Sequence, residues 1–497
     1  MLETILENLE VVKFDNSFSR LPEKFYAKVK PTPVKTPNLI KLNESLANHL
    51  RMNLKSIDCH KYFSGNVLFN GSNPISMAYA GHQFGHWVPQ LGDGRAILLG
   101  EVIDFEGNRR DIQLKGSGPT PFSRMGDGRA WLGPILREYV VSEAMENLNI
   151  PTTRALSVVS TGEYIYRDHE LPSAILTRVA HSHIRVGTFQ YFAARQDSQS
   201  LKILADYVIE RHYPYCKNKK NPYINLLKEI IKRQADLIAK WMSVGFIHGV
   251  MNTDNTSIYG ETIDYGPCAF LDEYNSNKVF SSIDQTGRYA YKNQPEIIRW
   301  NLACLASSLL PLIQDDEKQS ITLAQNAVDE FPDLYKAQWL KLFRNKLGLK
   351  TVKEMDEKLI NNLLLIMEKN ETDFTLTFRD LCSLVMDNNE NNFKKFRKNF
   401  SKPNDINNWL GDWKSRLSFE KEDKEHIFNF IRNINPAYIP RNHRIEEMIN
   451  KALDGDFSLF NLLNEILATP FDDQNTHIRY QNSPAPSQVV TKTFCGT

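Results

Sequence analysis

The chain has 497 residues, carries 60 Lys and Arg against 59 Asp and Glu, and is 41% apolar with 11% aromatic residues. This length exceeds one ordinary domain and predicts roughly two to four units; the apolar fraction is enough for real cores, which excludes global disorder. A formal charge of +1 with no long basic run excludes a nucleic-acid binder that works by bulk electrostatics.

The chain opens on MLETILENLEVVKF, acidic and amphipathic, without the basic start and apolar centre of a secretory signal or the arginines of a transit peptide. The best apolar run, residues 303–313, is too short to span a bilayer and is broken by serines and Pro311. The expectation is a cytoplasmic protein with no membrane or nucleic-acid partner. Six cysteines, at positions 59, 216, 268, 304, 382 and 495, are thinly spread with no CxxC pair, so neither a disulfide scaffold nor a zinc site is signalled.

Residues 1–85 read as a leader packed on the first lobe, with a helix over 2–9, a proline-rich connector over 31–37 and a helix around 43–50. His82 and His86, in HQFGH, have the spacing of a zinc-binding helix. Gly85 and the lack of an adjacent glutamate favour a turn or packing instead. Strands follow over 96–103 and 111–115, with a turn at Glu106-Gly107-Asn108 and a hairpin-turn signal at Gly92-Asp93-Gly94, giving an antiparallel meander. The pentapeptide GDGRA occurs at 92–96 and again at 126–130, which reads as two tight turns presenting backbone N–H groups and an arginine. A helix opens at Pro134 and runs to about 147, with Glu138, Val141 and Met145 on one face. Two further strands lie near 155–160 and 174–179.

After about 190 the pattern becomes helical, over 202–211 and 225–242. The apolar stripe of Leu227, Ile230, Ile231, Ile238, Trp241 and Met242 marks a core helix. Another helix spans 294–310. Residues 315–471 are helical throughout with no catalytic cluster, and 472–497 form a polar tail carrying Cys495. The expected units are therefore 1–85, 86–190, 191–314, 315–471 and 472–497.

Residues 245–272, GFIHGVMNTDNTSIYGETIDYGPCAFLD, are the stretch on which chemistry converges. Asp254 and Asn255 stand side by side, followed by a short hairpin and then Asp264-Tyr265-Gly266, an arrangement of oxygen ligands suited to a hard divalent cation. Upstream, Lys115 ends a strand and Glu138 lies on the next helix, a pairing that turns an ammonium towards nucleotide phosphates. This order of elements is that of a protein-kinase-like fold, α+β and two-lobed, with a β-rich N-lobe, a helical C-lobe and an additional C-terminal helical region. Asn255 stands seven residues after His248, at the metal-binding asparagine's place, and Asp264 matches the second metal ligand. Val250 occupies the position at which such phosphotransferases carry their catalytic aspartate. Asp254 is the remaining carboxylate beside the metal pair.

The stretches QLGDGRAILLGE, DIQLKGSGPTPFSRMGDGRAWLGPILREY, GVMNTDNTSIYGETIDYGPCAFLDEY and NPAYIPRNH resemble the selenoprotein O family of protein adenylyltransferases. The resemblance covers nearly the whole chain and is weakest over 315–424. It implies a kinase-like fold that binds ATP in a flipped orientation and transfers AMP to Ser, Thr or Tyr hydroxyls of proteins. It further implies that Asp254 is the proton acceptor and that Asn255 and Asp264 hold Mg²⁺, or Mn²⁺ in a variant. The implied nucleotide contacts are Gly92, Gly94, Arg95, Lys115, Asp127, Gly128, Arg178 and Arg185, with Glu138 pairing Lys115. It also implies a disulfide between Cys495, which stands where eukaryotic members carry selenocysteine, and Cys268. The expected partners are ATP and protein substrates, and the expected assembly is a monomer. The rival readings are a γ-phosphoryl-transferring kinase, a UTP-using uridylyltransferase and a non-catalytic redox-sensitive pseudokinase scaffold.

Overall fold

The computed structural model describes residues 11–386 and 390–494. The helix expected over 2–9 lies outside the described residues, as does Cys495.

The fold is α+β, built on one antiparallel sheet. Its strands are β1 (Tyr26–Lys28), β2 (Asn38–Leu42), β3 (Ile75–Met77), β6 (Ala96–Ile103), β7 (Arg109–Lys115), β8 (Ala130–Trp131), β9 (Arg154–Tyr166) and β10 (Glu170–Ala180). β4 (Gly81–Gln83) and β5 (His86–Val88) form a separate small hairpin, and β11 (Phe246–Ile247) pairs with β12 (Ala269–Phe270). The main sheet runs β1-β3-β6-β7-β10-β9-β2, with β8 beside β10. The strands 96–103 and 111–115 pair antiparallel as expected; β7 then pairs on its other edge with β10, not with β9, because the helix Leu132–Asn147 intervenes and the β9–β10 hairpin folds back. The Gly92-Asp93-Gly94 turn joins no hairpin. It leads into β6, whose earlier neighbour is β3.

Both faces of this sheet are covered. The period-2 alternation of a strand sends Ile112, Leu114, Ile175 and Val179 to one core with Phe63 and Phe69. Their neighbours Gln113, Lys115 and Arg178 point to the opposite face. There Ala174 and Leu176 pack against Ile135, Leu136 and Tyr139 of the helix Leu132–Asn147, so Glu138 reaches the sheet from above. That helix begins two residues before Pro134, with proline in its first turn.

The helices Val186–Ala193, Ser198–His212, Pro222–Val244 and Gln294–Ile313 form the layer beneath the site. Pro222–Val244 carries the expected apolar stripe and ends on Gly245, whose left-handed backbone (φ 73°) turns the chain into β11. The span Tyr291–Ile313 is long and apolar enough by composition to cross a bilayer, contrary to the sequence expectation, which began the apolar run only at Ala303. Its Ile298, Leu302, Leu305 and Leu309 are buried in the protein core, and its Gln294 and Asn301 bond to the loop that follows β11.

Between residues 315 and 471 nine helices are described, from Glu317–Asp329 to Ser458–Ile466. The last two, Asn442–Leu453 and Ser458–Ile466, buttress the helix that carries Glu138: Glu446 pairs with Arg137, and the Phe460 ring meets Tyr139 edge-on at 5.4 Å. The tail wraps back over the molecule. Asp473 takes Arg379 and Arg432, the Gln481 carbonyl accepts from Arg441, and Thr493 bridges to Ser281.

Candidate active site

The loop of residues 248–268 is enclosed by the β11–β12 pair; that pair brackets the whole loop and does not lie between Asn255 and Asp264, where the sequence suggested a hairpin. Trp241 stacks on the buried His248 ring, whose Nε2–H donates to the Ile263 carbonyl at 2.8 Å while Nδ1 accepts from Val250 N–H. Gln294 spans the base of the loop, donating to the Phe246 carbonyl and accepting from His248 N–H. Asn301 donates to the Met251 carbonyl and to Thr256 Oγ1. These buried amides leave few loop backbone groups to water and fix the turn Thr253–Asn255.

Around that loop the charged residues alternate in sign along one connected chain. Lys115 pairs with Glu138, Glu138 with Arg178, and Arg178 with Asp264 at 2.6 Å. Asp264 pairs in turn with Arg185 at 2.5 Å, and Arg185 reaches Asp93 at 3.7 Å. Arg185 also donates to the Asp254 carbonyl at 2.7 Å and lies over the Tyr79 ring. Lys115, Glu138, Arg178, Arg185 and Asp93 are all buried. Burial works to raise the Asp264 carboxyl, but Arg178 and Arg185 outweigh it and hold that group well below the usual carboxylate range. Burial, helped by repulsion from Arg178, pulls the Lys115 ammonium down against the attraction of Glu138. Asp93 is raised by burial, and so is Asp254. Burial pushes it up to about 6, opposed by the Gln83 hydrogen bond and by Arg185, so it is poised to accept a proton near neutrality.

These groups line a cavity of about 980 Å³. Asp254, Asn255, Asp264, Lys115, Arg178, Arg185, Gly92, Gly94, Arg95, Asp127 and Gly128 all stand on its wall, so the structure brings the sequence-derived candidates together, with Glu138 behind them. Both GDGRA turns contribute to its wall. A Cβ at Gly92 (φ 95°) would lie 2.4 Å from the Phe122 ring, and one at Gly128 (φ 65°) 2.1 Å from the Gly118 carbonyl; only glycine closes these turns. Arg95 makes no ion pair among the described residues and is available to an anion. Asp127 is already engaged, accepting from Arg129 N–H at 2.9 Å and from both Arg167 Nη groups, so it fixes its own turn against the β9–β10 hairpin.

The donor set leaves oxygen atoms for a cation. Asn255 Nδ2 donates to the Val250 carbonyl at 3.0 Å, which leaves Oδ1 for a ligand. Each Asp264 oxygen receives one guanidinium and retains a lone pair. The pair fits a hard divalent ion whose remaining ligands come from phosphate and water. The group of three carboxylate and imidazole donors found among the described residues, His49, Asp104 and Glu106, lies elsewhere. Its Asp104 is taken up by Arg110 and two backbone N–H groups.

Several wall residues escaped the sequence reading. Gln83 and Phe84 belong to HQFGH, which reads in the sequence only as a turn or packing, Tyr79 lies just before it, and Arg167 sits on a turn with no recognisable signal. Cys268 is buried, its thiol pushed up to about 12 by desolvation. Val250 is buried and apolar, as its identity required.

Because Glu138 neutralises two buried cations at once, Glu138→Ala is expected to cost about 3–5 kcal/mol of stability. Asp58→Ala, which breaks the exposed pair with Lys61, is expected to leave stability essentially unchanged. Thermal and denaturant unfolding of the two variants checks the contrast.

The family sequence model described as protein adenylyltransferase SelO matches residues 8–468. A protein nucleotidyltransferase YdiU of Rhizobium rhizogenes is 54% identical over 489 residues, covering 98% of this chain and 97% of its own. The protein of the same name from Agrobacterium fabrum is 54% identical over 491 residues, covering 98% of this chain and 100% of its own. That of Rhodopseudomonas palustris is 54% identical over 488 residues, covering 97% of this chain and 99% of its own. With matches of this extent, and with the motif residues gathered on one cavity wall, the chain belongs to the protein adenylyltransferase SelO family.

Proposed function

We propose that this protein transfers AMP from ATP to Ser, Thr or Tyr hydroxyls of other proteins and releases pyrophosphate. The observation that carries the reading is the make-up of the loop: Val250 is apolar and buried at the place where a phosphotransferase would carry its base, and Asp254, lifted by burial, is the carboxylate beside Asn255. Asp254 accepts the proton of the acceptor hydroxyl as its oxygen bonds to the α-phosphorus. The bond from that phosphorus to the bridging oxygen breaks, and pyrophosphate carries away the electron pair. Lys115, Arg95, Arg178 and Arg185 offset charge on the phosphates, and the glycine turns let backbone N–H groups approach them. Asn255 and Asp264 would hold Mg²⁺ or Mn²⁺, which supplies further charge neutralisation at phosphate oxygens when bound.

The same reading treats 86–190 as a kinase-like N-lobe behind the leader 1–85, and 191–314 as the C-lobe. Residues 315–471 are its helical extension and 472–497 its tail. It also keeps the protein a cytoplasmic monomer whose partners are ATP and protein substrates. A Cys268–Cys495 disulfide belongs to it too: the Thr493 hydroxyl donates to the Pro267 carbonyl at 2.6 Å, which brings the tail beside Cys268. Thiol counting with and without reductant is expected to release two thiols from the wild type and none from Cys495→Ser. An equal count in the two proteins contradicts the pairing.

ATP labelled at the α-phosphate is expected to label protein, and ATP labelled at the γ-phosphate is not. Asp254→Asn is expected to lower the rate by about 10²–10⁴ while ATP still raises the melting temperature. Labelling from the γ-position alone would overturn the assignment in favour of a kinase.

A further inference from the structure

The β4–β5 hairpin carries the HQFGH motif, and the chemistry above gives it no part. It turns on Phe84 and Gly85, both with positive φ (52° and 85°), and lies against residues 252–254. His82 N–H donates to Thr253 Oγ1 at 2.7 Å, and Phe84 N–H donates to Asn252 Oδ1 at 3.0 Å. The Tyr289 hydroxyl donates to the same Asn252 oxygen, and its ring packs on Phe84. The His82 ring is held by Trp87, Trp300 and the Gln190 amide. The hairpin is thus anchored on either side of Gln83 without using the Gln83 side chain.

That side chain is spent on Asp254. Gln83 Nε2–H donates to Asp254 Oδ2 at 3.1 Å, and among the described residues the Asp254 carboxylate makes no other side-chain hydrogen bond. The second oxygen, Oδ1, is buried without a partner. It rests on Gly81, where a Cβ would stand 2.7 Å from that oxygen and 3.0 Å from Asp254 Cβ. The carboxylate is therefore clasped between an amide donor and a residue that must lack a side chain.

We propose that Gln83 is a positioning residue for the transfer reaction, holding the Asp254 carboxylate in the one orientation that meets the acceptor hydroxyl, with Gly81 making room for it. The inference rests on reading Asp254 as the proton acceptor. Its energetic logic is that of pre-organisation: a base held by packing and a fixed donor pays no reorientation cost at the moment of reaction, and small misplacements of a reacting group cost heavily in rate.

Gln83→Leu removes the donor at similar volume, Gln83→Glu sets a carboxylate against Asp254, and Gly81→Ala crowds the same group from the other side. Each is read by transfer of label from α-labelled ATP to protein. The expected result is a fall in kcat of roughly 10- to 100-fold for Gln83→Leu, larger for Gln83→Glu, with KM for ATP and the ATP-induced rise in melting temperature unchanged. A purely structural hairpin predicts a lower melting temperature and a higher KM together. Gln83→Leu with kcat within twofold of the wild type, or with kcat and KM changed in parallel, overturns the proposal. Should Gly81→Ala fail to fold, the two Gln83 variants decide alone. If the wild type labels protein and Gln83→Leu is unimpaired, only this inference falls. If the wild type labels protein from no nucleotide position, the functional reading falls and this inference with it.

Discussion

The chain of alternating charge from the buried Lys115, Glu138 and Arg178 through the half-buried Asp264 to the buried Arg185 is the constraint on which the rest of the molecule depends. Any one of these charges alone in the interior would cost several kcal/mol in lost hydration, and the pairs offset that only when their geometry is held. Five separate elements must meet for this to happen. β7 brings Lys115 and β10 brings Arg178 on the same sheet face; the helix Leu132–Asn147 brings Glu138. The cap of Val186–Ala193 brings Arg185, and the loop between β11 and β12 brings Asp264. The β7–β10 pairing is what sets Lys115 and Arg178 close together on that face.

The chain also explains why distant segments are ordered as they are. Glu138 keeps its place because Tyr139 and Arg137, its neighbours on the helix, are gripped by Phe460 and Glu446 from the C-terminal helices. No described residue of 315–471 lines the cavity, yet two of its helices brace the one that carries the glutamate. Arg185 ties the acidic loop to the turn Gly92-Asp93-Gly94 through Asp93 and to Asp254 through its carbonyl, so phosphate pocket and base are parts of one network. The result is a cavity whose wall is rich in cations and also carries the raised carboxyl of Asp254, an arrangement that favours binding polyphosphate and removing a proton beside it.

Much of this was legible in the residues. The strand Ala96–Ile103, the core helix ending at Gly245 and the Lys115–Glu138 pair follow from alternation, apolar periodicity and element order, all of which are local signals. The short strands β1 to β5 were not legible, because runs of three to five residues carry too little period to read and are strands only through what they pair with. The helix Val186–Ala193 was missed for a related reason: Phe189 and Phe192 lie in a segment buried all round, with no polar face to give it away. The place of HQFGH was equally hidden. Its histidines invited a metal reading, whereas its contribution comes from backbone N–H groups and one glutamine whose partners lie about 170 residues away in the chain.

The central claim is that Asp254 faces the α-phosphorus of a bound nucleotide, with Asn255 and Asp264 at the phosphate oxygens. A crystal structure with a non-hydrolysable ATP analogue and a divalent cation tests it most directly. The expected result is the α-phosphorus as the phosphorus atom nearest Asp254, with the cation on Asn255 and Asp264. A γ-phosphorus in that position, or a cation bound away from these two residues, would contradict it.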